Sequence, residues 1–297
     1  MRSIRLPRRL AVVAAGLAIA LVGAGSAEAG QPSKGGGSDL KPGNRLAVAL
    51  TNQNQLVTFK VRKPDQLLSI RSIRGLPSGV SLVGIDYRPR TGDLYGVGSD
   101  SVVYRVNPQT GIVIAENVDA MGMPIPFTPG LNGMSFGLDF NPVPDAIRVV
   151  SDVAQNLRLA PDAGTVLGVD GTLNPGMPQV AGAAYTNSSF SATRPTATQL
   201  YVIDYKQDQV FLQNPPNNGT LTNGQRLIGV NVQPKFGWDI AGTNDVGYLA
   251  TSDRRGRAST IYTVDETTGL TRKLGQIGGR RLRGLSVTGL AVQQDLP

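Results

Sequence analysis

Three aspartates recur at one position of a repeated sequence motif. Asp86, Asp139 and Asp239 each lie two residues after a glycine and directly before an aromatic or aliphatic residue. If they converge, their carboxylates could bind Ca²⁺, which takes about six to eight oxygen ligands. They could also serve as acid, base or nucleophile at a glycosidic bond, or accept backbone N–H groups from a neighbouring sheet. All three interpretations stay open at this point.

The composition excludes several kinds of active site. The 297 residues include no histidine and no cysteine. Ser-His-Asp and Cys-His catalysis, His-ligated zinc and thiolate chemistry are therefore absent. Carboxylate chemistry, hard-cation binding and surface recognition remain. Ca²⁺ is the one cofactor that these residues could hold, and otherwise we expect none.

Other polar and aromatic residues have simpler structural interpretations. Asp100, Asp152 and Asp253 each follow a predicted second strand in a Ser-Asp pair, which favours an Asx-type turn. Asn156 precedes a strand and could face either side of a sheet. Trp238 is the only tryptophan, and we expect it to fill space between sheets rather than to stack on a sugar.

Two segments are candidate ligand surfaces. The irregular apolar loop Met121–Met134, which includes Phe127, is the preferred one, since loops on rigid scaffolds often carry recognition; packing over a sheet edge is the alternative. The second is a basic run near the C-terminus, centred on Arg280, Arg281 and Arg283. Such a patch predicts binding to an anionic polymer, or simply a solvated surface.

The elements that position these residues follow from an internal repeat. Glycines at 84, 137, 182, 237 and 289 are separated by 53, 45, 55 and 52 residues, and each begins a similar motif. Turn glycines at 111, 164, 219 and 269 keep the same phase, separated by 53, 55 and 50 residues. A repeat of this length, with four short strands and tight turns per unit, is typical of a propeller blade.

The second repeat shows the four strands most clearly. We predict them at Leu82–Tyr87, Asp93–Gly98, Val102–Val106 and Gly111–Ala115, separated by turns rich in Pro, Asn, Asp and Gly. Strands joined by such turns run antiparallel. The sequence thus predicts an all-β, five-bladed β-propeller of four-stranded blades.

The two chain ends complement each other. Leu285–Val292 resembles a first strand without successors, and the segment around Leu46–Val61 resembles later strands without a first. We therefore expect the C-terminal strand to complete the N-terminal blade and close the ring. An open solenoid and a six-bladed ring, if the irregular stretch 170–235 is misread, are the alternatives.

The N-terminus predicts export. Arg2, Arg5, Arg8 and Arg9 precede an apolar run that is too short to span a bilayer, and Ala27-Glu28-Ala29 suits signal-peptidase cleavage near Ala29. We expect residues 1–29 to be a signal peptide, residues 30–44 a flexible linker and residues 45–297 one propeller domain. Cleavage would leave 25 basic and 20 acidic residues, a net charge of +5. We expect a secreted monomer without a transmembrane anchor or nucleic-acid partner.

Five stretches of the chain match a known sequence pattern: Ala47–Phe59, Gly84–Pro89, Gly137–Pro142, Arg148–Leu157 and Gln213–Gly219. The match runs from about Leu46 to Val292, and Val-Ser-Asp-x-x-Gln-Asn-Leu is its most specific part. With these stretches the chain resembles a family of uncharacterised, usually exported bacterial proteins, the domain-of-unknown-function family 4394. The resemblance implies a β-propeller-like fold and supplies no catalytic residue.

Three functional hypotheses follow. The first is an extracellular binding or scaffold module that recognises an unknown ligand through loops on one face. The second is a carboxylate-dependent glycoside hydrolase or lyase that acts on an extracellular polymer, which requires the aspartates to face an open channel. The third is adhesion to anionic cell-surface polymers through the C-terminal arginines.

Overall fold

The computed structural model describes residues 42–242 and 245–293. The predicted signal peptide and nearly all of the predicted linker lie outside the described residues. The described chain forms five four-stranded antiparallel sheets. It contains no helix long and apolar enough to cross a membrane within those residues.

The strands follow the predicted repeat closely. In chain order they are β1 (Leu46–Thr51), β2 (Gln55–Lys60), β3 (Lys63–Ser72), β4 (Leu82–Tyr87), β5 (Leu94–Gly98), β6 (Val103–Val106), β7 (Val113–Ala115), β8 (Phe136–Asn141), β9 (Ala146–Ser151), β10 (Asn156–Ala160), β11 (Thr165–Val169), β12 (Val180–Tyr185), β13 (Leu200–Asp204), β14 (Gln209–Gln213), β15 (Leu221–Arg226), β16 (Phe236–Ala241), β17 (Val246–Ser252), β18 (Ser259–Val264), β19 (Thr271–Gln276) and β20 (Val287–Val292). Two short 3₁₀ helices cover Pro216–Asn218 and Gly279–Leu282.

The sheets form a closed ring of five blades. Blade 1 has the order β20-β1-β2-β3, and blades 2 to 5 take the remaining strands four at a time in chain order. The inner strands β20, β4, β8, β12 and β16 each contact the next one around the axis. The prediction of a five-bladed propeller is therefore confirmed, and the open-solenoid and six-bladed alternatives are wrong.

Ring closure occurs where the two chain ends predicted it. β20 pairs antiparallel with β1, with Val48 opposite Ala291. The backbone N–H of Gln293 extends this pairing by donating to the Leu46 carbonyl at 2.7 Å. β20 thus covers the edge of β1 that would otherwise be unpaired and gives blade 1 its fourth strand.

The repeated glycines allow the inner strands to approach one another closely. A Cβ on Gly137 would lie 2.5 Å from the Gly182 carbonyl carbon, and one on Gly84 would lie 2.8 Å from the Leu138 Cβ. No ordinary side chain fits at these distances. The glycine repeat in the sequence therefore marks the tight packing of the blades at the axis.

Apolar layers fill the space between adjacent blades. Tyr95 of blade 2 packs edge-on against Phe140 of blade 3, with ring centroids 5.4 Å apart. Trp238 is buried between blades 4 and 5, and its indole N–H donates to the Tyr201 carbonyl at 3.2 Å. As a buried wedge, the tryptophan is not available as a sugar-stacking platform.

Candidate functional site

The inner strands define two faces of the ring. We call the face where they begin the upper face and the face where they end the lower face. Loops that link one blade to the next, and turns between second and third strands, lie at the upper face. Turns between first and second strands lie at the lower face.

The three repeated aspartates meet on the axis, close to the lower face. One carboxylate oxygen from each of Asp86, Asp139 and Asp239 lies within 4.8 Å of the others. The side chains are buried, with 2 to 5% of each residue exposed. In blades 4 and 1 the equivalent positions are Ala184 and Ala291.

Each carboxylate joins its blade to the next one around the ring. A backbone N–H of the following inner strand donates to one oxygen of every aspartate. The pairs are Phe140 N to Asp86 Oδ2 at 2.8 Å, Tyr185 N to Asp139 Oδ2 at 2.8 Å, and Val292 N to Asp239 Oδ2 at 2.6 Å.

The two alanine positions explain the remaining hydrogen bonds. An alanine cannot accept the N–H of the following blade, so that N–H needs another acceptor. After Ala291, the Tyr87 N–H donates to Asp86 of its own strand at 2.7 Å. After Ala184, the Ile240 N–H likewise donates to Asp239. Three carboxylates thus satisfy five equivalent N–H groups, and we call this arrangement the axial clasp.

Burial sets the protonation of the axial clasp. Desolvation raises the pKa of Asp86 well above its usual value, with a further rise from the charge on Asp239. Desolvation and the charge on Asp86 raise the pKa of Asp139 in the same way. Desolvation raises the pKa of Asp239 to about 7 despite its backbone hydrogen bonds. The three groups therefore hold protons at a pH where exposed aspartates are ionised.

A loop of blade 4 covers the lower end of the axis. Residues 186–199 connect β12 to β13 and are far longer than the corresponding turn of blade 3. The loop crosses to three other blades, so it separates the clasp from solvent below. Its contacts are Ser191 N to the Pro89 carbonyl at 3.1 Å, an Arg194 guanidinium N–H to the Val143 carbonyl at 3.3 Å, and Asn187 N to Asp245 Oδ1 at 2.8 Å.

Above the clasp the channel is almost closed. The cavity between the inner strands, lined by Gly137, Gly182, Gly289 and their neighbours, leaves about 10 Å³ for the centre of a water molecule. That is close to the minimum that a single water needs. The carboxylates converge as predicted, but they do not face a channel with room for a sugar.

The clasp offers a cation few free ligand atoms. Carboxylate oxygens suit Ca²⁺, and the spacing of the three groups would allow a shared ion. However, both oxygens of Asp86 already accept backbone N–H groups. Calcium binding therefore stays a prediction, and the hydrogen bonds of the clasp favour the structural interpretation.

A second buried polar cluster lies at the lower face between blades 2 and 3. Arg88 donates to both oxygens of Asp145, at 2.9 and 2.7 Å, and to Asp162 at 2.6 Å. Burial opposes ionisation of Asp145, but the hydrogen bonds and charge of Arg88 lower its pKa below the usual value. This cluster could not be predicted from the sequence, because the three residues lie in separate turns.

A third polar cluster joins blades 3 and 4. Arg148 is fully buried and donates to Asp170 at 2.5 Å, Asn156 at 2.7 Å, Asn217 at 2.8 Å and the Tyr185 hydroxyl at 3.2 Å. Sequence reasoning left Asn156 unplaced and missed Arg148. The available signal was a lone arginine inside the otherwise apolar strand β9.

This cluster connects two of the stretches on which the family resemblance is based. The Asn156 side chain donates to the carbonyls of Gly171 and Pro216, both at 3.0 Å, and the Gln213 side chain donates to the Pro216 carbonyl at 2.7 Å. The stretches Arg148–Leu157 and Gln213–Gly219 therefore meet in one hydrogen-bonded network. Their role is to join two blades.

Of the three aspartates after the second strands, Asp253 caps its own turn as predicted, whereas the side-chain hydrogen bonds of Asp100 and Asp152 go to other segments or side chains. Asp253 accepts the N–H groups of Arg255 and Arg257 at 3.1 and 2.8 Å. Asp152 accepts the Met134 N–H at 2.9 Å, and Asp100 accepts the hydroxyl of Tyr104 at 2.7 Å. All three serve local structure, and Asp152 also fixes the end of the candidate ligand loop.

The loop Met121–Met134 lies on the upper face against the turns of blades 2 and 3. Phe127 is buried in the core and its N–H donates to the Ser101 carbonyl at 2.8 Å. Met121 and Met134 are exposed at 84% and 82%. The loop is therefore anchored by its centre and exposes its two ends.

A pocket of about 380 Å³ lies at the upper mouth of the axis. Residues at the starts of four inner strands line it, together with Met134 from the candidate loop and the first turn of blade 1. We call it the mouth pocket. Among its polar lining residues are Asn52, Ser81, Ser99, Ser135, Lys235 and Thr288.

The C-terminal arginines also lie at the upper face. Arg280, Arg281 and Arg283 are exposed in the loop that leads from blade 5 into β20. The Gly284 N–H donates to the Arg257 carbonyl at 2.8 Å, which joins this loop to the turn 253–258. The basic residues of the two segments therefore form one surface.

Nearly all of this ring corresponds to one known sequence family. A family model with the description Domain of unknown function (DUF4394) matches residues 55–291. The chain belongs to this family. The resemblance expected from the sequence is thus confirmed, and the DUF4394 match extends from β2 to β20. A search of curated proteins finds no match.

Two solved structures are similar to this DUF4394 chain. One is a crystal structure of BBS1N in complex with ARL6DN, soaked with mercury, with 13% identity and a TM-score of 0.36; the match covers 76% of this chain and 59% of that one, less than two thirds of its length. The other is a putative 6-phosphogluconolactonase from Bacteroides uniformis, with 12% identity and a TM-score of 0.41, covering 80% of this chain and 83% of that one.

Proposed function

We propose that this protein is a binding module that acts outside the cytoplasm and holds its ligand on the upper face, over the mouth of the axis. The observation that carries the proposal is the mouth pocket. It is built from four of the five blades, its volume of about 380 Å³ falls within the usual range for ligand pockets, and polar groups converge on it.

The closed axis supports recognition over catalysis. A hydrolase needs its carboxylates beside an accessible substrate, with about 5 Å or more between them. Here the clasp carboxylates are buried, accept backbone N–H groups and lie under a channel with room for about one water. We therefore do not propose the hydrolase or lyase hypothesis as the function.

The extracellular part of the proposal rests on the N-terminal sequence. A basic segment, an apolar run and the Ala27-Glu28-Ala29 site form the pattern of a cleaved signal peptide. The absence of cysteine is compatible with export, because a ring of this size has a large enough core without disulfides.

The test is a glycan microarray probed with the mature chain and two tryptophan variants. Ser81 is exposed and lines the mouth pocket, so Ser81→Trp fills the pocket without disturbing the core. Thr110 lines a second cavity of about 460 Å³ beside the turns of blade 2 and serves as the matched control.

We expect the wild-type protein to bind at least one glycan class. Ser81→Trp should weaken that binding by about tenfold or more, because the indole ring occupies the pocket. A tenfold loss corresponds to roughly 1.4 kcal/mol of binding free energy. Thr110→Trp should leave it unchanged. If only Thr110→Trp weakened glycan binding, the ligand would bind in the other cavity and the proposed site would be wrong. Glycan binding that neither variant changes would also refute the proposed site.

A further inference from the structure

We infer that the upper face of blade 5 is a docking surface for an acidic polysaccharide that carries carboxylates along its length. This inference rests on the proposed function, because it names the ligand class for the same face. The observation behind it is a cluster of arginines on two adjoining loops. We call these residues the arginine surface: Arg254, Arg255, Arg257, Arg280, Arg281 and Arg283.

The two loops are held together by backbone and side-chain hydrogen bonds. The Gly284 N–H donates to the Arg257 carbonyl at 2.8 Å, and the Val287 N–H donates to the Ser259 hydroxyl at 2.8 Å. A 3₁₀ helix, Gly279–Leu282, forms the second loop, and Leu282 packs into the core. The arginines are thus displayed on a fixed backbone.

Few acidic groups compensate this charge. Asp253 accepts the N–H groups of Arg255 and Arg257 at Oδ1, and its Oδ2 lies 3.7 Å from the Arg257 Nε, so it offsets one of the six charges. Asp65 lies beside Gly279 at the edge of the second loop. Arg272 and Lys273 are also exposed, but they lie at the opposite end of the adjacent strand β19, next to the turn 265–270.

Arginine is suited to carboxylates because its planar guanidinium can donate two parallel hydrogen bonds to one acid group. The six side chains surround no single pocket, and their charges are spread over two loops. Such a surface fits repeated acid groups along a chain better than one small anion.

Other polyanions fit this surface less well. Single-stranded nucleic acids are bound by stacking bases on aromatic side chains, and neither 253–258 nor 277–286 contains an aromatic residue. A membrane surface would be contacted through apolar side chains as well as charge. Here Ile277 and Leu282 are buried and Leu285 packs against the core.

The arginine surface adjoins the mouth pocket. The N–H of Asn52, which lines the pocket, donates to the Ser286 carbonyl at 2.9 Å, and the Ser286 N–H donates to the Asn52 side chain at 3.1 Å. Lys235 also lines the pocket. A polymer held by the arginines would therefore extend towards the pocket with a cation at its entrance.

The experiment is retention of the mature chain on immobilised polygalacturonate, with neutral dextran, single-stranded DNA and anionic phospholipid vesicles as comparison probes. The test variant is Arg280→Gln/Arg281→Gln/Arg283→Gln. The matched control is Arg71→Gln/Arg74→Gln/Arg90→Gln, which removes three exposed charges away from the two arginine loops. Arg71 and Arg74 donate to the carbonyls of Gln109 and Thr110 in blade 2, and Arg90 lies in the turn between β4 and β5. Thermal unfolding of both variants verifies that they fold.

We expect the arginine variant to lose at least tenfold in affinity for polygalacturonate and to show a flatter dependence on salt. The control variant should lose far less. Arg254→Gln/Arg255→Gln/Arg257→Gln should reproduce the loss through the other loop.

Equal losses in the test and control variants would overturn the inference, since only net charge would then matter. Tighter binding to DNA or vesicles than to polygalacturonate would overturn it too. Binding of neutral glycans that Ser81→Trp blocks and the arginine variant leaves intact would refute this inference alone and support the proposed function. If no glycan of either kind binds, both are wrong.

Discussion

The lower half of the axis and the upper face use polar residues in opposite ways. On the axis, three aspartates are buried and their oxygens satisfy backbone N–H groups of adjacent blades. On the upper face, Lys235 and Ser81 line a pocket of about 380 Å³, and the arginine surface lies on loops of which one contacts the pocket residue Asn52 through Ser286. The residues that recur from blade to blade hold the ring together, whereas residues unique to one loop are free to contact a ligand.

The comparison would fail first if the buried polar groups contributed little to stability. Arg148→Met should reduce the free energy of unfolding by about 4 kcal/mol, because it breaks a buried ion pair with Asp170 and removes the donor from the side-chain oxygens of Asn156, Asn217 and Tyr185. Arg158 binds the same carboxylate but is one-third exposed, so Arg158→Met should cost about 1 kcal/mol or less. Urea unfolding of both variants measures the difference, and equal costs would contradict the assigned role of Arg148.

The close approach of the inner strands can be tested with one substitution at two equivalent positions. Gly137→Ala places a Cβ 2.5 Å from the backbone of Gly182 and should cost about 3 kcal/mol. At Gly289 the nearest atom is 3.3 Å away, so Gly289→Ala should cost less than about 1 kcal/mol. Thermal or chemical unfolding gives both values. A larger cost at Gly289 would show that the ring is packed differently.

The protonation of the clasp predicts how stability depends on pH. Asp239 has a raised pKa of about 7 in the folded state, so the folded protein retains a proton that the unfolded chain releases near pH 4. Stability from this group is therefore greatest below about pH 4 and is lost as the pH rises to about 7. Asp86 and Asp139, whose pKa values burial also raises, act in the same direction. So does Glu266, whose pKa is raised to about 8.

Asp239→Asn should make this decline with pH shallower, because the amide does not titrate. Unfolding at several pH values between 4 and 8 measures the slope in both proteins. An unchanged slope would contradict a protonated clasp. A rise in stability of the wild type with millimolar Ca²⁺ at pH 8, absent in Asp239→Asn, would instead support the calcium prediction.

The smallest effect on stability is expected at the upper face. Met134 is 82% exposed, so Met134→Ser should change the free energy of unfolding by less than about 0.5 kcal/mol. Because Met134 lines the mouth pocket, the same variant should alter glycan binding. Strong destabilisation without any effect on binding would reverse the roles that we assign to the two regions.

The repeat made the ring and the convergence of its aspartates predictable from sequence. A glycine that recurs about every 50 residues indicates a structural constraint that recurs with it. Here the constraint is the short distance between neighbouring inner strands. The division of five N–H groups among three carboxylates could not be derived in advance. That division depends on which inner strands follow Ala184 and Ala291 around the ring. It also requires that both oxygens of Asp86 and Asp239 lie within hydrogen-bond distance of backbone N–H groups.

Features that occur once were the hardest to predict. The loop 186–199 has no distinctive motif, and its role over the axis comes from contacts with blades 2, 3 and 5. The mouth pocket likewise combines residues from distant parts of the chain. Its Leu131, Gly133 and Met134 were within the predicted ligand loop, while Phe127 of that loop is part of the core.

The axial clasp is tested most directly by amide hydrogen exchange in the wild type and in Asp139→Ala and Asp86→Ala. Asp139 accepts one backbone N–H, from Tyr185, whereas Asp86 accepts two, from Tyr87 and Phe140. An unsatisfied buried N–H costs about 1 to 3 kcal/mol, so Asp86→Ala should destabilise the ring more than Asp139→Ala.

In the wild type all three amides should exchange only through global unfolding. Asp139→Ala should accelerate exchange at Tyr185 alone, and Asp86→Ala at Tyr87 and Phe140. Fast exchange of these amides in the wild type, or protection that survives removal of the carboxylates, would contradict the account.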